Sequence, residues 1–153
     1  QNRPMFASGS AVVQPYMREL LREIGVVLAD VPNRLTLEGH TDAQAFIGGE
    51  RGYSNWELSS DRANASRREL VGGGLADDRV LRVQGLASSQ PFDSADPRAA
   101  NNRRISIIVM NRDAEDRMFR TAPEVAEALE VEPPLVTPVR PIVSRTEPAK
   151  QAQ

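Results

Sequence analysis

The chain has 153 residues, with 19 Lys+Arg against 21 Asp+Glu, one histidine and no cysteine. That length suits one ordinary domain with a real core. The near-balanced charge argues against nucleic-acid binding by bulk electrostatics, and the missing cysteine excludes disulfides and cysteine-held metal. No apolar run is long enough to span a membrane, and no signal-peptide pattern opens the chain. A chain starting at Gln1 reads as a piece of a longer protein, with an anchor expected upstream.

In chain order, Pro4–Ala7 is predicted as a short strand ended by a Ser/Gly turn. A helix follows, with Pro15 at its first position. Val13, Tyr16, Leu20, Leu21, Ile24, Val27 and Leu28 recur at helical spacing as its apolar stripe. The helix is expected to stop near Pro32-Asn33. Arg34–His40 alternates as a strand, Leu35 and Leu37 to one side, Thr36 and Glu38 to the other. Asp42–Asn55 is a long loop. A second helix is predicted to begin near Ser59, capped by it, with Asp61 in the first turn. Gly72-Gly73-Gly74 ends it.

Arg79–Gly85 is the third predicted strand, and Asp96–Asn102 a possible short helix. The β-branched run Arg103–Asn111 is the fourth strand. Residues 113–120 read as one or two helical turns. The alternation β-α-β-α-β-(α)-β predicts an α+β two-layer sandwich, helices on one face of a mixed four-stranded sheet. The domain is drawn at 1–120. Residues 121–153 hold six of the eleven prolines and neither glycine nor aromatic. Such a segment buries too little apolar surface to offset ordering, so a disordered Pro-rich tail is expected.

The chemistry concentrates between Gly39 and Leu70. Asp42 lies just past a strand end and Arg62 in the first turn of the next predicted helix. In a βα unit both face the crevice beyond the strand's C-terminal end. Ser59, Ser60 and the free N–H groups of the helix start would add anion donors. One carboxylate beside one guanidinium suits a ligand with an ammonium and a carboxylate. A structural Asp42–Arg62 salt bridge is the competing reading. His40 could belong to a Ser59-His40-Asp42 triad, but no nucleophile-elbow motif is present. With a single histidine and no cysteine, a metal site would rest on carboxylates alone, so no metal and no cofactor are expected. Phe46, Tyr53 and Trp56 are expected to pin the loop, Trp56 partly buried, around a mobile Gly48–Gly52 tip.

Three pieces of sequence fall in a telling order: "GHTD" at Gly39–Asp42, "NWELSSDRA" at Asn55–Ala63 and "NRRI" at Asn102–Ile105. Together they resemble the OmpA-like peptidoglycan-binding domain, over about residues 4–112. The run "GERGYSNWELSSDRANASRREL" further resembles the periplasmic region of flagellar stator B proteins (MotB type), as does the long loop. The resemblance implies a non-catalytic domain that binds the diaminopimelate residue of the cell-wall stem peptide. It places the ligand-binding Asp and Arg on Asp42 and Arg62, with Thr41 in the same motif. Asn55 and Leu58 match pocket-lining positions, and Asn102 and Arg103 match the pocket edge. It also implies a homodimer, a stator A subunit met through an upstream membrane helix, and the flagellar P-ring as a further candidate partner. The expected location is the periplasm, with the full-length protein held in the inner membrane. Two alternatives stay open: an OmpA-like anchor of another envelope complex, and a wall-peptide hydrolase using His40, Asp42 and a serine.

Overall fold

A computed structural model describes residues 3–46 and 52–120. The chain divides into two units, Gln1–Phe119 and Arg120–Gln153. The second, and with it the expected tail, lies outside the described residues apart from Arg120, as does most of the loop tip.

The first helix, α1, runs Pro15–Ala29 with Pro15 at its first position and extended Gln14 before it. Proline suits that place because the missing N–H would be unpaired there anyway. The predicted period holds, but the buried face is rotated. Leu21, with Met17, Ile24 and Leu28, meets the core, while Leu20 and Val27 are exposed.

Strand β1 (Leu35–Gly39) is central. It pairs in parallel with β2 (Val80–Gly85) and antiparallel with β3 (Ile105–Val109), giving the order β2-β1-β3. The sheet thus has three strands, not the predicted four. The Pro4–Ala7 segment makes only an isolated bridge, Phe6 to Val13. Pro4 has no N–H to give a ladder, and Gly9, at φ +65°, turns the chain away. The carbonyls of Ala7 and Ser10 are taken by a side chain, the Arg62 guanidinium, instead of a neighbouring strand.

Helix α2 (Asn55–Gly72) starts four residues earlier than predicted. Ser54, not Ser59, caps it. The Ser54 hydroxyl accepts the Trp56 N–H at 3.2 Å, and Glu57 Oε2 accepts the Ser54 N–H at 2.7 Å. This Ser-x-x-Glu box satisfies donors at both ends of the first turn. Asp61 therefore falls in the second turn, where it accepts the Tyr53 hydroxyl at 2.7 Å. The helix ends into Gly73 as expected. A 3-10 turn, Asp77–Arg79, leads into β2, another, Ala100–Asn102, precedes β3, and α3 (Arg112–Phe119) follows it.

Helix α2 lies on β1 and β2, and α1 packs on α2. The core between helices and sheet joins Phe6, Leu21, Leu35, Leu37, Leu70 and Leu75. Glycines set how closely α2 approaches. Gly39 and Gly85 are register partners at the strand ends. A Cβ on Gly39 would fall 1.8 Å from the Ser59 carbonyl oxygen, and one on Gly85 would fall 2.5 Å from the Ser60 backbone nitrogen. The start of α2 therefore rests directly on the ends of β1 and β2, beyond which the next residues form the site. Gly39→Ala should cost about 2 kcal/mol, since backbone must move to admit the methyl. A urea-unfolding midpoint unchanged from wild type would show that α2 does not lie this close.

Candidate functional site

Beyond the C-terminal end of β1, a cavity of about 200 Å³ opens. That is smaller than the ~300–1,000 Å³ of pockets for drug-sized ligands and suits a small polar head group. Thr41, Asp42, Asn55, Leu58, Arg62 and Arg103 all line it. Ser8, Gly9, Gln44, Ala45 and Phe46 complete the wall. Asn102 lies elsewhere. It is fully buried, accepting the Asp93 N–H at 2.8 Å and donating to the Asp96 carbonyl at 3.0 Å. It thereby shapes the loop before β3, and that loop is tied to the site because Ala43 N–H donates to Pro97 O at 2.8 Å.

Arg62 is 1% exposed. Its Nε donates to Ser10 O at 2.9 Å, Nη2 to Ala7 O at 3.1 Å and Nη1 to His40 O at 3.3 Å. Its guanidinium also sits 5.1 Å from the centre of the Phe6 ring. A guanidinium has five N–H groups. Among the described residues, these three bonds leave one N–H on each terminal nitrogen. Burial pushes the Arg62 pKa down to about 10, against the pull of the Asp42 carboxylate. Arg62 is therefore charged at neutral pH.

Asp42 does not pair with Arg62. Its Oδ2 accepts Arg103 Nη1 at 2.7 Å, and its Oδ1 accepts the Gln44 N–H at 3.2 Å. The salt bridge weighed from sequence is replaced by one to Arg103, 61 residues along the chain. Both carboxylate oxygens keep acceptor capacity. The walls are fixed by ordinary bonds. Asn55 Nδ2 donates to Gln44 O at 2.9 Å, joining the start of α2 to the loop. Phe46 and Tyr53 pack with their rings tilted, 5.2 Å between centres, across the two arms of that loop. Trp56 takes no part in this pinning and is 55% exposed, contrary to expectation.

The serines do not serve as anion donors here. Ser59 Oγ donates to Trp56 O and accepts the Ala87 N–H, and Ser60 Oγ donates to Trp56 O. His40 Nε2 meets Ser106 Oγ at 3.1 Å. Neither Ser59 nor Asp42 hydrogen-bonds the His40 ring among the described residues, so the triad geometry is not assembled. Nor do His, Asp and Glu gather there into a metal-holding group. Sequence reading missed Ser8 and Gly9. The Ser/Gly turn is visible in the sequence, but nothing local ties it to Arg62, 52 residues beyond Ser10.

The arrangement presents one carboxylate and two guanidiniums around a small cavity. Such charges are complementary to an ammonium and a carboxylate.

Comparison with known proteins places the chain, though not its individual residues. The OmpA family model matches residues 5–104. Motility protein B of Escherichia coli K12 is 50% identical over 148 residues, covering 92% of this chain and 48% of that protein. The chain thus spans about half the length of this curated relative. Among solved structures, the cell wall anchor of the T6SS from Pseudomonas aeruginosa is 34% identical, with TM-score 0.57 over 71% of this chain and 76% of that one. The periplasmic domain of Helicobacter pylori MotB shares the fold at TM-score 0.62 and 16% identity, over 85% of this chain and 82% of that one. With the family model covering well over half its length, the chain belongs to the OmpA family.

Proposed function

We propose that this chain is the non-catalytic peptidoglycan-binding part of a flagellar stator protein, and that it holds the diaminopimelate residue of the stem peptide. What supports this is the meeting of Asp42, Arg62 and Arg103 in one cavity suited to a small polar head group. Meso-diaminopimelate ends in a free amino and carboxyl pair. Asp42 would take the ammonium. The two spare N–H groups of Arg62 would take the carboxylate, with Arg103 steadying Asp42 and adding positive charge. Thr41, Asn55 and Leu58 would shape the walls, and Asn102 would act from behind by fixing the loop. Charge-assisted bonds of this kind contribute about 1.5–3 kcal/mol each before ordering costs. Weak single sites still anchor an assembly when several engage one polymer.

The stator assignment rests on the 50% identity to Motility protein B over nearly the whole chain. On this reading the protein works in the periplasm, as a homodimer, with an inner-membrane helix upstream and a stator A subunit as partner there. The P-ring is a further partner to test. A wall anchor of another envelope complex is the second reading, favoured by the 34% identity to the T6SS anchor over a smaller share of the chain.

Ligand choice tests the pocket. Lysine-type stem peptide keeps the side-chain amine but lacks the second carboxylate. It should bind at least about tenfold worse than the diaminopimelate peptide, about 1.4 kcal/mol. Asp42→Asn should weaken both, since both offer the amine. Calorimetric titration of well-folded wild type giving equal affinity for the two peptides would remove the ligand assignment.

A further inference from the structure

A second cavity of about 240 Å³ lies beside the first, and Arg103 lines both. Its other charged walls are Arg3 and Arg104, and among the described residues no acidic side chain lines it. Pro4, Met5 and Phe92 give it apolar surface. Phe92 is 72% exposed, with the Arg104 guanidinium 5.8 Å from its ring centre. Arg104 Nη1 donates to Gln90 O at 3.2 Å, which leaves most of its N–H groups unspent. Among the described residues, neither Arg3 nor Arg104 has a salt-bridge partner, and Arg103 has only Asp42. Asn101 Oδ1 and Arg103 Nε, on the same wall, are buried without a hydrogen-bond partner there. Three arginines line one hollow in a chain whose net charge is −2, Arg3 with its guanidinium 5.8 Å from the Tyr16 ring centre. A local field of this sign selects anions, and planar guanidiniums suit carboxylates.

We propose that this second cavity is a subsite for a second carboxylate of the same peptide whose diaminopimelate head fills the first. The proposal rests on the head-group reading above. The shared wall at Arg103 supplies the connection: a head group beside Asp42 brings the neighbouring residue of its peptide past Arg103. The apolar walls take the carbon chain and the guanidiniums take the acid. Two carboxylates of a stem peptide offer this chemistry, the α-carboxylate of the glutamyl residue before diaminopimelate and the C-terminal carboxylate after it.

Three synthetic peptides with the same diaminopimelate head separate these sources: one with both acids free, one amidated at the glutamyl carboxylate, one amidated at the C-terminus. Titration of the full chain should show one amide binding at least fivefold more weakly than the free acid. The identity of that amide names the carboxylate. The R3Q/R104Q double variant should lose the preference while still binding the head, because Gln keeps a donor for Gln90 O but no charge. Its fold is checked by circular dichroism. Equal affinity for all three peptides in the wild type, or a preference that survives in the double variant, overturns the subsite and leaves the head-group site standing. Absence of binding by any of the three overturns both.

Discussion

Arg62→Ala should lose about 3–5 kcal/mol of folding stability, a large share of the ~5–15 kcal/mol that holds a domain of this kind together. Arg62 is among the most buried side chains, and three backbone carbonyls depend on it. They come from both sides of the site: Ala7 and Ser10 in the N-terminal turn, His40 at the end of β1. Removing the side chain leaves those acceptors short of partners and empties the space over Phe6. Each hydrogen bond to a charged group contributes about 1.5–3 kcal/mol, and the desolvation of the guanidinium offsets part of the sum. Arg62→Lys should recover some of this loss, because an ammonium keeps the charge but cannot span three carbonyls in one plane. Urea unfolding followed by circular dichroism measures both variants. An Arg62→Ala protein within 1 kcal/mol of wild type would show that the N-terminal turn is not held by this side chain. The same argument explains why Asp42→Asn, and not Arg62→Ala, is the variant for testing the ligand: the arginine builds the cavity as well as lining it.

Local chemistry was legible in the sequence, and partnership across the fold was not. Pro15, the alternation of Leu35 and Leu37, and the glycines after α2 each act within a few residues, and each fell where its own physics puts it. The start of α2 is legible too, as Ser54-x-x-Glu57, but Ser59 competes with it as a residue of the same capping type. Ser59 is a cap by type, yet inside the helix its hydroxyl turns to Trp56 O. Convergence of Asp42 and Arg62 on one cavity followed from the βα geometry. The choice of Arg103 as the partner of Asp42 did not, because a pairing across 61 residues is fixed by how β3 lies against β1. The strand that fails to form is the first predicted one, for a related reason: Pro4–Ala7 has strand character, but the Ala7 carbonyl takes a stronger, charged donor in Arg62. A propensity reading sees the segment and not the competitor for its hydrogen bonds.

Stability should fall steeply as the pH drops from about 6.5 to about 4, and His40 should account for on the order of 3 kcal/mol of that fall. The side chain is 1% exposed. Burial, helped by the charge of Arg104, pushes its pKa from 6.5 down to about 4. Glu38 stands 4.0 Å from Nε2 and pulls the other way without prevailing. Nε2 meets Ser106 Oγ, while Nδ1 is buried with no partner among the described residues, so a second proton would have nothing to bond. The folded protein thus keeps the ring neutral where the unfolded chain already binds a proton. Above pH 6.5 both states are neutral and the contribution is complete. Between 6.5 and 4 the unfolded state gains the proton first, and stability falls by up to about 1.4 kcal/mol per pH unit. Below 4 both states are protonated and this contribution to the slope vanishes. His40→Gln retains a polar group for Ser106 and removes the titration, which separates the histidine from the carboxylates that titrate in the same range. Unfolding free energies measured from above pH 6.5 to below pH 4 should run parallel for wild type and variant at both ends and differ in slope only between about 6.5 and 4. Parallel pH profiles for the two proteins would show that the ring gains its proton without penalty in the fold. Because the His40 carbonyl receives Arg62 Nη1, the same protonation should loosen the cavity. Ligand affinity should then weaken over the same window in the wild type and less so in His40→Gln.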